Sequence, residues 1–142
     1  MKLPDPPTLR VILCGDRDWS DWTAIVRILR TLDPLTTMVI TGGAPGADTL
    51  ADKAAQSLGF GARVVENADW DRYHRAAGPI RNQKMLEILC AGSASDHRLV
   101  IAFHDDLARS KGTKDMVTRT KKRAKRNPEL NIRIQRVGHV KR

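Results

Sequence analysis

A chain of 142 residues that is 41% hydrophobic is long enough for one domain, which we place at 1–142 with a folded core at about 10–137. No stretch approaches about eighteen continuous apolar residues and no secretory signal opens the sequence, so no membrane partner is expected and a cytoplasmic location is predicted. The net charge of +9 arises in the last quarter: residues 1–106 carry 12 Lys and Arg against 14 Asp and Glu, whereas residues 107–142 carry 13 against 2.

Strand-like and helix-like segments alternate along the chain. Continuous apolar runs predict strands at 11–13, 38–41, 62–65 and 99–103. Apolar residues at helical spacing predict helices at 22–32, 50–58, 78–92 and 112–126. The segment "NIRIQRV" (131–137) alternates polar and apolar residues, which is typical of an edge strand. We therefore predict an α/β, Rossmann-like doubly wound fold with a mainly parallel five-stranded sheet and helices on both faces.

Glycines and polar residues follow the predicted strands, where a parallel sheet holds its ligand crevice. The turn "GGAPGAD" (42–48) would let backbone N–H groups approach an anion at a helix N-terminus, and "SKGT" (110–113) opens another helix in the same way. A merely tight turn is the alternative interpretation. The candidate ligand- and phosphate-binding residues are Gly15, Arg17, Gly42, Gly43, Ala44, Gly46, Ala47, Asp48, Arg81, Asn82, Ser110, Lys111, Gly112 and Thr113.

Two arginines are the candidates for neutralising a phosphate. Arg17 follows the first strand, and its guanidinium could bind phosphate or form a salt bridge with Asp16, Asp18 or Asp48. Arg81 lies in the first turn of its predicted helix, where a cation opposes the helix dipole, so its position indicates a nearby anion. Asp48 is either a favourable first-turn acid or a ligand for a ribose hydroxyl.

The remaining polar and aromatic candidates carry weaker signals. Trp70 and Tyr73 are candidates for stacking on a base, or aromatic residues that cap the edge of the sheet. His104, Asp105 and Asp106 follow the fourth strand and could act as general acid, general base or metal ligands, or form a polar loop without chemistry. Because Cys14 and Cys90 have no metal-binding spacing, no metal site, disulfide or cofactor is predicted.

Five ordered motifs resemble the SLOG superfamily, which is named for the Smf/DprA proteins and the LOG phosphoribohydrolases. They are "RVILCGDRDW", "VITGGAPGADTLA", "ADW", "AAGPIRNQKML" and "SKGTKDMV". The likeness points to the YspA and YpsA-related branch of small bacterial and phage proteins, most of them of unassigned function, and covers about residues 10–137. It implies a Rossmann-like domain that binds a nucleotide or nucleotide-derived ligand, and it is consistent with a homodimer. It does not by itself imply catalysis.

The resemblance is incomplete at the positions that LOG enzymes use for catalysis. Those enzymes take an Arg from an R-K-x-x-M segment and a Glu from P-G-G-x-G-T-x-x-E. Arg81 and Met85 match the first segment, but Asn82 stands in place of the Lys. Met116 stands in place of the Glu and cannot exchange a proton, while Asp115 is one residue early and lies about 100° around the helix.

We therefore predict binding or sensing of a nucleotide-derived small molecule, with no catalytic residue assigned. The first alternative is a LOG-like phosphoribohydrolase or other nucleotide hydrolase. The second is a DprA-like nucleic-acid binder that uses the basic segment "TKKRAKRNPE" (120–129), in which each neutralised phosphate would release counterions. A solvated helix face also explains that segment, because it contains no aromatic residue that could stack on bases.

Overall fold

Strands and helices alternate along the chain, as the apolar patterns predict. The computed structural model of the protein describes residues 7–139. Its strands are β1 (Leu9–Gly15), β2 (Thr37–Thr41), β3 (Ala62–Val65), β4 (His97–Phe103) and β5 (Ile132–Val137). Its helices are α1 (Trp22–Leu29), α2 (Ala47–Ser57), α3 (Trp70–Tyr73), α4 (Ala77–Cys90) and α5 (Gly112–Arg126). Three short 3-10 turns lie at His74–Ala76, Leu107–Arg109 and Pro128–Leu130.

The five strands form one parallel sheet in the order β3-β2-β1-β4-β5. The chain leaves the central strand β1 toward β2 and β3, then returns to β4 on the other side of β1. The connections therefore change direction between β1 and β4, which is where ligands bind in sheets of this kind. The predicted α/β, Rossmann-like fold is confirmed, and β5 lies at an edge of the sheet as its alternating pattern predicts.

Each face of the sheet buries its own core. Successive side chains of β1 point to opposite faces, so Val11 and Leu13 pack with α1 and α2, whereas Ile12 and Cys14 pack with α4 and α5. Because helices cover both faces of the sheet, the buried strands consist of consecutive apolar residues rather than of alternating apolar and polar residues. None of the helices within residues 7–139 combines the length and apolarity that crossing a membrane requires.

Two local predictions are corrected. The first helix ends at Leu29 rather than near residue 32, although Leu32 still packs against the core beyond its end. Trp70–Tyr73 form helix α3 rather than a loop, because the carboxylate of Asp69 accepts a hydrogen bond of 3.2 Å from the N–H of Arg72 and caps the turn.

Arg98 joins several chain segments at the amino-terminal ends of the strands. It lies near the start of β4 with only 1% of its surface exposed. Its guanidinium donates five hydrogen bonds of 2.8 to 3.3 Å to backbone carbonyls, which belong to Leu89, Ala91, Ser93, Asp96 and Leu130. Two of these carbonyls lie at the C-terminus of α4, where the helix cannot bond them itself. One side chain thus joins α4, the loop before β4 and the 3-10 turn before β5.

We expect Arg98→Met to destabilise the fold by about 3 kcal/mol, because it removes the donor from five backbone carbonyls, that of Leu89 buried and the others in part. Arg98→Lys should cost less but still lose stability, since an ammonium cannot reproduce the planar fork of donors. Urea unfolding followed by circular dichroism measures both, with the exposed Arg30→Met as control. Unfolding free energies of both Arg98 variants within about 0.5 kcal/mol of the unmodified chain would contradict this role.

Candidate functional site

The carboxyl ends of the central strands open into a cleft of about 1090 Å³, at the point where the connections change direction. Loops after β1, β2, β3 and β4 and the first turns of α4 and α5 form its walls, and we call this space the cleft. Its volume is at the upper end of the range of roughly 300–1000 Å³ that is usual for small-molecule sites. The candidate residues that line it are Gly15, Arg17, Gly42, Gly43, Ala44, Asp48, Trp70, Arg81, Asn82, Ser110, Lys111, Gly112 and Thr113.

Gly46 and Ala47 were candidate ligand residues, but they do not line the cleft. Gly46 has a φ of 79°, and a Cβ at this position would collide with the backbone carbonyls of Asp16 and Arg17. The N–H of Ala47 donates to the carbonyl of Asp16 at 3.0 Å. These two residues therefore pack the start of α2 against the loop after β1, and their backbone is engaged within the protein.

The glycine turn after β2 surrounds a carboxylate of the protein itself. Asp48 is 4% exposed, and its side chain accepts a hydrogen bond of 3.4 Å from the backbone N–H of Ala44, while the nearby N–H groups of Gly42 and Gly15 favour its charged form. A Cβ at Gly42 would lie 2.8 Å from Asp48 Oδ2 and 2.7 Å from Arg81 Nη1, so glycine is needed there for both groups to approach. The amides that the sequence predicted as a phosphate cradle thus face an internal anion.

Asp48 can exchange a proton near neutral pH. Burial raises the pKa of its carboxyl from 3.8 to about 6, although the positive charge of Arg81 and the three backbone N–H groups oppose this rise. The thiol of Cys14 lies beside it in the cleft, and burial together with the charge of Asp48 raises its pKa as well. Asp48 is therefore the group of this pair that can change its charge in the physiological range.

A hydrogen-bonded chain crosses the floor of the cleft. Arg81 donates from Nη1 to the carbonyl of Gly42 and from Nε to Asn82 Oδ1 at 3.1 Å. Asn82 is buried, and its Nδ2 donates to Asp115 Oδ2 at 2.9 Å and to the carbonyl of Gly112 at 3.1 Å. Asn82 thereby fixes the side chain of Arg81 and joins the turn after β2 to the N-terminus of α5.

The expectation for Asp115 is corrected by its position. Met116, at the motif's Glu position, is 1% exposed and packs in the core beneath α5. Asp115 lies in the cleft, where its carboxylate accepts hydrogen bonds from Asn82 and from Arg119 Nε at 2.8 Å. Both Asp115 and Met116 line the cleft, so the rotation of about 100° between these neighbouring helical residues does not remove Asp115 from it.

Several cations line the cleft without a salt bridge, although the carboxyl groups of Asp16, Asp18, Asp48 and Asp115 line it as well. Within residues 7–139, Arg17, Arg81 and Lys111 form no salt bridge, so the ion pairs considered for Arg17 are absent. Arg75 and Arg109 also line the cleft, and Arg109 pairs with Asp106 at 3.5 Å. Arg75 and Arg109 were not among the predicted candidates, because both lie in short 3-10 turns that no periodic pattern marks.

The two aromatic candidates separate. Trp70 is 54% exposed at the edge of the cleft, and its indole lies over Gly78 in the first turn of α4, where a Cβ would be 3.4 Å from Cη2. Tyr73 does not line the cleft, because its ring packs beneath the guanidinium of Arg72 at 5.0 Å. Trp70 is the aromatic residue that a ligand in the cleft can reach.

The polar loop after β4 is largely engaged with the C-terminal segment. Asp105 accepts hydrogen bonds from the backbone N–H of His139 at 2.6 Å and pairs with its Nδ1 at 2.8 Å, and these bonds lower the pKa of Asp105. His104 lines the cleft, and its Nδ1 accepts a hydrogen bond from the N–H of Asp106 at 2.9 Å. No group of three or more His, Cys, Asp or Glu in the described part of the chain could hold a metal ion.

Asp48 should make stability depend on pH. Its pKa is higher in the folded chain than in the unfolded chain, so the folded state binds more protons between pH 4 and 6 and stability falls as pH rises through this window. The displacement from 3.8 to about 6 corresponds to on the order of 3 kcal/mol. We expect the unfolding free energy of the unmodified chain, minus that of Asp48→Asn, to fall from pH 4 to pH 7 in urea titrations. A constant or rising difference would contradict the burial of an ionisable Asp48.

Comparison with known proteins places the chain in a family. The family model for YspA, cpYpsA-related SLOG proteins matches residues 9–73, which extend from β1 to α3. The Gene 61 protein of Mycobacterium phage D29 is 33% identical over 121 residues, and the match covers 80% of this chain and 89% of the phage protein. No solved structure matches the chain. The chain belongs to the YspA and cpYpsA-related SLOG family.

Proposed function

We propose that the chain binds a nucleotide or nucleotide-derived small molecule in the cleft. The observation that carries this proposal is that Arg17, Arg81 and Lys111 line the cleft, each without a salt bridge inside residues 7–139. Cations that line a cleft without a salt-bridge partner favour an anionic ligand. Family membership supports the same class, because it suggests binding or hydrolysis of a nucleotide-related ligand.

The phosphate of such a ligand would lie at the N-terminus of α5 rather than at the glycine turn. Asp48 lies buried against the glycine turn and bonds the N–H of Ala44, so its carboxylate would repel a second anion there. At α5, Ser110 Oγ accepts the N–H of Thr113 at 3.0 Å, and no acceptor within residues 7–139 meets the N–H of Gly112. Lys111 precedes this helix and opposes its dipole, a position that an anion would stabilise.

The two ends of the cleft suit the two ends of a nucleotide. Trp70 offers a half-exposed indole face on the side of the cleft formed by α3 and the start of α4, where a base could stack. Arg81 lies between the Trp70 side of the cleft and α5. Its neighbour Asn82 accepts a hydrogen bond from Arg81 and donates one to the carbonyl of Gly112 in the first turn of α5. A ligand that spans the cleft would therefore place its base on Trp70 and its phosphate between Arg81 and Lys111.

We expect Arg17→Gln/Lys111→Gln to weaken the binding of nucleoside 5′-monophosphates at least about tenfold, since each charged hydrogen bond lost costs roughly 1.5–3 kcal/mol. Isothermal titration calorimetry with the four common monophosphates measures the affinity. Arg27→Gln/Lys53→Gln removes the same charge from exposed positions outside the cleft and should bind as the unmodified chain does. No binding by the unmodified chain, or equal losses in both variants, would reject the proposal.

A second candidate function, hydrolysis of the N-glycosidic bond of the bound nucleotide, is favoured by one observation. Asp115 and Asp48 place two carboxyl groups in the cleft, although the motif's Glu position holds Met116. A carboxylate near the anomeric carbon could stabilise the positive charge that develops there. The carboxylate of Asp115 is, however, held by Asn82 and Arg119, which limits its approach to a substrate.

We expect no free base above background when the chain is incubated with nucleoside 5′-monophosphates, as measured by chromatography. Binding without release supports a binding or sensing protein. Release of base that is lost on Asp115→Asn would instead establish the hydrolase and identify its carboxylate. Asp48→Asn separates the two carboxyl groups, because loss of release in that variant alone assigns the chemistry to Asp48.

A further inference from the structure

Helix α5 presents a strongly basic surface that the nucleotide proposal does not use. Its buried residues, Thr113, Met116, Val117 and Thr120, pack toward the sheet. The exposed side carries cations over about 18 Å, at a rise of roughly 1.5 Å per residue. We define the basic face as the five exposed cations of this helix, Lys114, Lys121, Lys122, Lys125 and Arg126.

The basic face carries no internal counter-charge. Asp115 is the single acid of α5, and its carboxylate is turned to Asn82 and Arg119 rather than to the exposed side. None of the five cations of the basic face forms a salt bridge with the part of the chain between residues 7 and 139. Lys121 and Lys125 are four residues apart, as are Lys122 and Arg126, so like charges repel along the helix.

The inward-facing cations of α5 behave differently. Arg119 donates to Asp115 and to Gln83 Oε1, and Arg123 donates to Asn127 Oδ1 at 2.8 Å. Arg119 thus pairs with an acid and bonds α4, whereas Arg123 bonds the C-cap residue of its own helix. The exposed cations of α5 lie on the side that faces away from the sheet.

We propose that the basic face binds the phosphate backbone of duplex nucleic acid. A duplex carries one phosphate per about 3.4 Å of its axis on each strand, so the roughly 18 Å between Lys114 and Arg126 can reach several phosphates, and four of the five cations are concentrated between residues 121 and 126. The basic face holds no aromatic residue on which unpaired bases could stack, so contact with the backbone, independent of sequence, is the mode that its chemistry fits.

A membrane surface fits this face less well. A helix that lies in a bilayer interface needs an apolar side to insert, and the apolar side of α5 is buried against the sheet. Four of the five cations of the basic face lie apart from the cleft, because Lys121, Lys122, Lys125 and Arg126 do not line it and follow the first turn of α5 by more than a turn. Lys114 lies in that first turn and is left unchanged in the test below. Duplex binding by these cations can therefore be tested independently of nucleotide binding in the cleft.

The test is the affinity of the full chain for a fluorescein-labelled duplex of 20 base pairs, measured by anisotropy between 50 and 300 mM KCl. Five phosphate contacts give an expected slope of log affinity against log salt of about −4.5. In Lys121→Gln/Lys122→Gln/Lys125→Gln we expect the slope to fall to about −2 and the affinity at 50 mM KCl to fall at least tenfold. Circular dichroism checks that the variant is folded.

Two control variants distinguish the basic face from net charge and from the cleft. Arg27→Gln/Arg30→Gln/Lys53→Gln removes three exposed charges elsewhere, and Arg17→Gln/Lys111→Gln removes two from the cleft. Both should retain most of the duplex affinity. Absence of duplex binding by the unmodified chain at 50 mM KCl, equal losses in any control, or binding to phosphatidylserine vesicles but not to the duplex would overturn the proposal.

Discussion

The cleft depends on the absence of a side chain at Gly42. A Cβ there would collide with both Asp48 and Arg81, so this glycine permits a buried carboxylate and a guanidinium to approach the same backbone. Burial of Asp48 is costly, and backbone amides together with the charge of Arg81 offset part of that cost. Arg81 in turn bonds Asn82, and Asn82 bonds α5. The relative positions of three walls of the cleft therefore follow from one contact at the end of β2.

Much of the fold could be predicted from the sequence, because both faces of a parallel sheet are buried and its strands must be apolar throughout. The runs at Val11–Leu13 and Leu99–Phe103 carry that signal without any tertiary information. Arg98 could not be predicted, since the five carbonyls that it binds come from segments that are separated in sequence. Helix α3 was missed because four residues are too few to show a helical period.

The sequence predicted which strand ends and loops meet at the cleft, but not how their side chains are engaged there. Most of the glycines and cations chosen from the ends of strands do line the cleft, because topology alone brings those ends together. Which anion the glycine turn faces depends on where Asp48 points, and the sequence cannot show this. The position of Asp115 in the cleft was missed for a similar reason. A motif compares residues along one helix, whereas the residues that line the cleft depend on how α5 packs against α4.

Two regions of unpaired positive charge differ in what they can hold. In the cleft, Arg81 is fixed by Gly42 and Asn82, and its surroundings include carboxyl groups, so a bound anion must fit a defined position and a mixed field. The lysines on the outer side of α5 are exposed, and no acidic residue lies between them. Each carries its charge at the end of a flexible aliphatic side chain. A preorganised guanidinium favours one small ligand of defined shape, whereas a row of solvated ammonium groups favours an extended anion that tolerates many arrangements. The packing of α5 therefore separates its cations by side: Arg119 and Arg123 are engaged with neighbouring polar groups, whereas the exposed cations on the outer side have no acid beside them.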